Sequence, residues 1–398
     1  MRIILANKFY YRRGGDCVYS IELENLLKAA GHDVAFFAMD YPENQENQWN
    51  SYWPSEIAFS PKKPAAFFKA FKRPFGDGET VKKFTALLDA FKPDVLHLNN
   101  IHTQLSPVIA EIAHARGVKV VWTLHDYKLI CPAYTCLCKG VICEDCIAGD
   151  KKSCVAKKCV KNNWLASKIA EKEACIWNGE RLEKWVDAFV CPSHFMKMKM
   201  ERGGFDASKL VVLHNFVDEL KFVHEPVSRE NAYCYVGRLS SEKGVETLLE
   251  VASKIDVTLY VLGTGPLEAQ LKTRFSQFKQ IQFLGRCDWE TCKSILLKSK
   301  FSVIPSQWYE NNPYSVIESL CLGTPVLGSD IGGIPELIEP GVTGELFEMG
   351  NADSLERKIR LMFDKVYDID VVSVRKKFSK ENYLDQIKSV YGSADAAK

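Results

Sequence analysis

Short, continuous apolar runs recur along this chain, and each ends in a polar or glycine-bearing loop that leads into a helical pattern. In the first half these runs are Arg2–Ala6, Asp33–Ala38, Asp94–Leu98, Val118–Leu124 and Ala188–Cys191. In the second they are Tyr233–Val236, Thr258–Leu262, Ile281–Leu284, Phe301–Ile304 and Pro325–Gly328, with a further strand near Leu210–Val217. Strands apolar on both faces and alternating with helices require parallel sheets covered by helices on both sides. At 398 residues the chain exceeds the size at which one core usually stays single, so two domains are expected. The break falls between residues 205 and 230, where a polar stretch, Asp218–Asn231, interrupts the pattern; this gives domains 1–205 and 206–398. The terminal segment 379–392 has helical spacing at Tyr383, Ile387 and Val390 and suits either domain. The expected class is α/β, two Rossmann-like domains facing a cleft with their carboxyl strand ends.

Composition excludes several alternatives. With 46% hydrophobic and 26% charged residues the chain reads as an ordinary soluble protein, and a net charge of +2 gives no footprint for nucleic acid. No apolar run reaches the length of a membrane span, and the apolar part of Met1–Asn7 is too short for a signal peptide, which points to the cytoplasm. No G-x-G-x-x-G follows a strand and opens a helix, against a dinucleotide-dependent oxidoreductase.

The densest stretch is Pro305–Glu318. Pro313 suits the first position of a helix ending before Gly323, and the free amides of Tyr314 and Ser315 then form an anion site at the positive end of the dipole. Glu310 precedes that helix and Glu318 lies inside it, both able to accept hydrogen bonds from sugar or ribose hydroxyls. Alone, Glu310 reads as a cap on the helix dipole and Glu318 as a solvated helix residue. Their neighbours change the weight. Arg238 and Lys243 occupy Gly237–Gly244, after a strand, and offer a fork and a point charge suited to a diphosphate. Gly263-Thr264-Gly265-Pro266 permits close backbone approach, and Ser329–Glu336 follows another strand. Glu310 and Lys243 are expected to face a solvated cleft.

The succession G-R-L-x-x-x-K-G, G-x-G-P, F-L-G, P-S-x-W-x-E-N-x-P-x-x-x-x-E, G-T-P-V and G-G-I-P-E-L-I, over nearly all of residues 205 to 350, resembles the retaining glycosyltransferases of family 4, of GT-B fold. The resemblance implies that Glu310 and Glu318 are the family's E-x7-E pair, on donor sugar and ribose respectively. It implies pyrophosphate contacts for Arg238 and Lys243, a nucleobase near Leu284-Gly285-Arg286, and donor contacts from the backbone at Asn312, Pro313, Tyr314 and Ser315. Many members carry Gly where this chain has Asn311. Gly14-Gly15 is similar to the family's glycine loop over the donor phosphates, and His125 stands where the family has a histidine close to the reacting carbon. His97, inside an apolar strand, reads as core, and His102 as a weaker acceptor-site candidate. The implied activity is hexosyl transfer with retention from a UDP- or GDP-linked sugar to a saccharide or polyprenyl-linked acceptor, in cell-surface polysaccharide or glycan assembly. A non-catalytic sugar-nucleotide-binding subunit is the alternative. No Asp-x-Asp suited to a diphosphate-bound metal is evident, so no catalytic cofactor is expected.

Two further segments remain. From Pro61 to Lys83 phenylalanines interleave with cations (Lys62, Lys63, Phe67, Phe68, Lys69, Phe71, Lys72, Arg73, Phe75), which fits either a packed helix or peripheral attachment at the inner face of an anionic membrane. Seven of the fourteen cysteines lie from Cys131 to Cys159. Cys143-x2-Cys146 with Cys154 and Cys159 has the reach of a structural zinc site, and a reduced, metal-free insert is the other reading. A subset of the family is similar here, with the Cys-Pro, the C-x2-C and a later pair; Cys136 and Cys138 are additional.

Overall fold

A computed structural model describes residues 1–57 and 64–392. The chain divides into two compact units: Met1–His214 together with the chain from Tyr383 onward, and Asn215–Asn382.

In the first unit β1 (Arg2–Ala6), β2 (Asp33–Phe37), β3 (Val95–Leu98) and β4 (Lys119–Thr123) precede a small antiparallel hairpin, β5 (Leu137–Cys138) and β6 (Val141–Ile142). Then come β7 (Ala188–Cys191) and β8 (Leu210–Val212). The main sheet is parallel throughout, in the order β2-β1-β3-β4-β7-β8. Ile3, Phe36, Leu96, Val121, Trp122 and Phe189 are fully buried, as strands covered on both faces require. The connecting helices start at side-chain caps where the sequence offers them: Asp77 accepts from Thr80 N, and Ser193 from Met196 N. Gly31, at φ +80°, ends the helix Gly15–Ala29. The helix Lys380–Tyr391 brings Tyr391 onto this unit's sheet, where its hydroxyl bonds His97 Nδ1 at 2.5 Å; His97 Nε2 bonds Thr123 Oγ1 at 2.7 Å. Burial, with His125 nearby, depresses His97 to about 3, so it is a neutral core residue.

The second unit holds β9 (Ala232–Val236), β10 (Thr258–Leu262), β11 (Ile281–Gly285), β12 (Ser302–Ile304), β13 (Val326–Ser329) and β14 (Gly344–Phe347). They form another parallel sheet, β11-β10-β9-β12-β13-β14, over a core that includes Tyr233, Leu248, Val261, Phe301, Leu327 and Ile359. The strand β14 and the hairpin lie outside the sequence expectation. Each is short: β14 is an edge, and the hairpin stands apart from both main sheets, so neither has the long apolar run that reveals a central strand.

Candidate functional site

Each sheet reverses its winding once. In open α/β sheets that reversal spreads two loops at the carboxyl ends of adjacent strands and leaves a crevice for a ligand. In the second sheet the reversal lies where β9 meets β12, so the loops involved are Gly237–Gly244 and Pro305–Asn312.

These loops are joined mainly by backbone. Gln307 N donates to Glu242 O at 2.8 Å, and Leu239 N to Thr264 O at 3.0 Å. Gly244 sits at φ +64°, and a Cβ there would lie 1.9 Å from Pro305 O, so any other residue would separate the loops. Gly332, also at φ +64°, lies against the backbone of Glu310, where a Cβ would be 2.4 Å from Glu310 O, and Gly333 N donates to Glu310 O at 2.8 Å. Gly263 packs against Gly237 O in the same manner.

On this frame Lys243 Nζ meets Glu310 Oε1 at 2.6 Å, and Ser306 Oγ donates to the same oxygen at 2.7 Å. Lys243 also lies 5.2 Å from the Trp308 ring centroid. Glu310 is buried, which corrects the expectation of a solvated carboxylate. Burial alone would raise its pKa, but the Lys243 charge and its hydrogen bonds hold it below the ordinary value. Lys243 is only partly buried, whereas Arg238 and Arg286 are exposed and have no side-chain partner among the described residues. Pro313 occupies the N-cap of the helix Tyr314–Cys321 instead of its first turn, and no side chain caps that helix. Asn312 is buried and structurally engaged: its Oδ1 accepts from Asn215 N at 2.7 Å and its carbonyl from Asn215 Nδ2 at 2.9 Å. Ser315 lies in the helix's first turn. Glu318 is half-buried without a hydrogen-bond or ion-pair partner among the described residues, and burial, opposed by Lys221, raises it to about 7. The chain's Asp368-Ile369-Asp370 starts a helix, with Asp370 accepting from Ser373 N.

In the first sheet the reversal lies between β1 and β3. Lys8 follows β1, Asn99 and Asn100 follow β3, Asp16 opens the helix Gly15–Ala29, and His125 and Asp126 follow β4. Asn100 N donates to Asn7 Oδ1 at 3.1 Å and Asn100 Nδ2 to Asp16 Oδ2 at 2.9 Å; Lys8 Nζ lies 3.4 Å from Asp16. His102 Nε2 stands 3.6 Å from Asp126 Oδ1. Burial would raise Asp126, but His102 and Lys8 overcome it and hold the carboxyl at about 2. Burial depresses His125 to about 4 despite Asp16 and Asp126. Gly14 is extended at φ −159°, and exposed Gly15 begins the helix, so neither backbone demands glycine. Asn99, Asn100, Asp16 and Asp126 were not singled out in the sequence. The available signal was a polar pair directly after an apolar strand, and an acid directly after the two glycines.

A family model described as Glycosyltransferase Family 4 matches residues 13–219. The chain belongs to glycosyltransferase family 4. A second model, Glycosyl transferases group 1, matches residues 216–384. The chain is 24% identical over 396 residues to an uncharacterized 42.6 kDa protein in the cps region of Klebsiella pneumoniae, covering 94% of this chain and 98% of that one. It is 30% identical over 232 residues to the O-antigen biosynthesis glycosyltransferase WbnH of Escherichia coli, covering 54% and 66%. Among solved structures, HepE of Anabaena in complex with UDP and glucose matches with TM-score 0.67 and 15% identity, covering 99% of this chain and all of that one. The expected fold, two Rossmann-like units of GT-B type, is shown, and the chain is a glycosyltransferase.

One expectation from the sequence changes, and another is located only in part. The four-thiolate site at Cys143, Cys146, Cys154 and Cys159 is not formed: among the described residues no three His, Cys, Asp or Glu side chains gather to hold a metal ion. Cys143 instead faces Lys157 Nζ at 3.5 Å, while Cys159 is within hydrogen-bonding reach of Cys138 and Cys154, and Cys131 lies against Cys136. Of the two additional cysteines, Cys138 thus engages a member of the expected ligand set, Cys159, while Cys136 engages Cys131 outside it. In the basic-aromatic segment, Lys62 and Lys63 lie outside the described residues. Arg73 is fully buried, at 3.0 Å from Asp77 and 3.2 Å from Glu79, and Lys69 also pairs with Glu79. Phe67 packs on Phe71, which leaves Phe68 as the exposed phenylalanine of the helix. Among the described residues no helix is long and apolar enough to cross a membrane.

Proposed function

We propose that this glycosyltransferase moves a hexosyl residue, with retention of configuration, from a UDP- or GDP-linked sugar to a saccharide or polyprenyl-linked saccharide. The second unit is assigned the donor and the first the acceptor. The observation that carries this reading is the Lys243–Glu310 pair at the winding reversal of the second sheet, flanked by exposed Arg238. A buried carboxylate, on the loop that leads into the uncapped helix Tyr314–Cys321, fixes the ammonium of Lys243, so the cation has little to reorganise when charge develops on a leaving diphosphate. Arg238 adds a fork for two phosphate oxygens. Glu310, oriented by Ser306 and Lys243, keeps its remaining oxygen to accept from a donor-sugar hydroxyl. Glu318 is assigned to the ribose, Arg286 and Gly263 to the nucleotide's surroundings, and Gly14, Gly15 and His125 to the transfer reaction.

A role in cell-surface polysaccharide assembly draws on the E. coli and Klebsiella relatives, whose names place them in O-antigen biosynthesis and a cps region. Attachment to an anionic membrane remains part of the reading through the lipid-linked acceptor, with vesicle co-sedimentation as its check. A thermal-shift screen of UDP- and GDP-sugars identifies the donor, since a ligand that binds the folded state raises the midpoint with concentration. NMR of the product's anomeric proton then tests retention: an inverted anomer, or a shift with no nucleotide sugar, defeats the proposal. Transfer that persists in excess EDTA is expected where protein cations carry the diphosphate.

A further inference from the structure

Among the described residues His125 is hydrogen-bonded by one side chain. Its Nε2 lies 2.9 Å from Asn99 Oδ1, and Asn99 is fully buried at the end of β3. The rest of the network fixes which way the Asn99 amide faces. Asn99 Nδ2 points to Ala6 O at 3.4 Å, a carbonyl that also accepts from Asn99 N at 2.9 Å, and Trp122 Nε1 donates to Asn99 O at 2.9 Å. Turning the amide over would set oxygen against oxygen at Ala6. Oδ1 therefore faces the imidazole, and since it can only accept, the imidazole nitrogen facing it must carry the proton.

The other ring nitrogen has a different environment. Among the described residues nothing hydrogen-bonds to His125 Nδ1, and the residue is only half-buried. The Tyr19 ring meets the imidazole edge-on with centroids 4.7 Å apart, which fixes the ring plane. We propose that Asn99 is a positioning residue that holds His125 as the Nε2–H tautomer, so that Nδ1 presents a lone pair to a hydroxyl of the sugar substrates. This rests on the assignment of His125 to the transfer reaction. The groups around the ring are Lys8 after β1, Asp16 on the first helix, His97 in β3, His102 beyond β3 and the adjacent Asp126. The two carboxylates favour the imidazolium, yet burial outweighs them, so the acceptor persists through neutral pH.

The test uses the full chain with nitrogen-15 histidine and long-range proton–nitrogen correlation spectra. In the wild-type protein His125 should show a protonated Nε2 and a bare Nδ1. Asn99→Asp keeps an acceptor at Nε2 and adds charge, so the tautomer should persist while the titration of His125 and the acid limb of the transfer profile move up by roughly one pH unit or more. Asn99→Leu should give mixed tautomers and a kcat lowered about tenfold, with nucleoside diphosphate affinity unchanged. Should Asn99→Leu not fold, the wild-type spectrum and Asn99→Asp still decide. A wild-type Nδ1–H tautomer, or an unmoved titration in Asn99→Asp, overturns the proposal. If the spectra hold but His125→Ala transfers sugar at the wild-type rate, the failure lies in the assignment of His125 to the reaction.

Discussion

The two winding reversals solve one problem in opposite ways. In the second unit the loops are joined by backbone hydrogen bonds and by glycines such as Gly244 and Gly332, which let chain touch chain. One ion pair, the buried Glu310 with half-buried Lys243, completes that centre, and Arg238 stays exposed. In the first unit side chains add to backbone bonds such as Lys8 N to Asn100 O: Asn7, Asp16, Asn99 and Asn100 bond across β1 and β3, with Lys8, His102 and Asp126 around them. A frame of backbone leaves its cations to a ligand, whereas the side-chain network uses many of its polar groups in holding itself; among the described residues His125 Nδ1 has no hydrogen-bond partner there. The first arrangement suits a strongly anionic donor. The second suits a neutral, hydroxyl-rich partner.

The largest effect should come from cutting the single pair. Lys243→Ala strands the Glu310 carboxylate in a buried setting, so it should abolish most transfer and also cost roughly 2–4 kcal/mol of stability. Glu310→Gln keeps the Ser306 hydrogen bond and leaves Lys243 able to reach solvent. It should lose comparable activity with far less stability. Equal thermal shifts in the two variants would show that the pair is not the asymmetric centre described above.

Next in size is the effect of bulk in the first unit. Gly15 is exposed and begins a helix, so Gly15→Trp should fold normally, lose most sugar transfer, and keep its affinity for the nucleoside diphosphate, which is assigned to the other unit's residues. Calorimetry beside a transfer assay on one preparation reads both quantities; wild-type transfer would remove the glycine loop from the mechanism. A smaller effect is expected of Asp16→Asn. Asn100 and Lys8 keep a neutral acceptor there, and the network has other members, so stability should fall by only about 1 kcal/mol. A loss equal to that of Lys243→Ala would erase the distinction between the two frames.

This difference also explains what the sequence could reveal. Close contact between backbones demands glycine at fixed offsets from strands, so Gly244, Gly263 and Gly332 appear in the chain as motifs, and the continuous apolar runs announce the buried parallel strands. A side-chain network leaves no such trace. Asn7 and Asp16 flank the connection after β1, Asn100 follows β3 and Asp126 follows β4, and the order β2-β1-β3-β4 brings these segments together. The burial of Glu310 was hidden for a related reason: it depends on Gly332 folding over that residue's backbone from a loop about twenty positions downstream. The cysteines mislead because spacing gives reach without direction, and Cys138 competes for Cys159.

The smallest effect, on stability alone, separates Glu318 from its partnered neighbour Glu310. Burial raises Glu318 from an ordinary 4.5 to about 7, and Lys221 offsets this only in part. Below the ordinary value the folded and unfolded chains both hold the proton, and Glu318→Gln should then melt like the wild type. As pH rises from 4.5 towards 7 the unfolded chain ionises while the folded one retains its proton, so the wild type loses stability and the glutamine variant, which has nothing to ionise, does not. Above the folded pKa the deficit stays constant. The variant should therefore match the wild type near pH 4.5 and melt higher by roughly 2–5 °C at pH 8, with the gap opening across that window. Saturating nucleoside diphosphate should narrow the gap if the ribose hydroxyls bond to the ionised carboxylate. A gap independent of pH would mean that Glu318 is already ionised in the folded chain, and that the contrast between a paired Glu310 and an unpaired Glu318 does not describe this site.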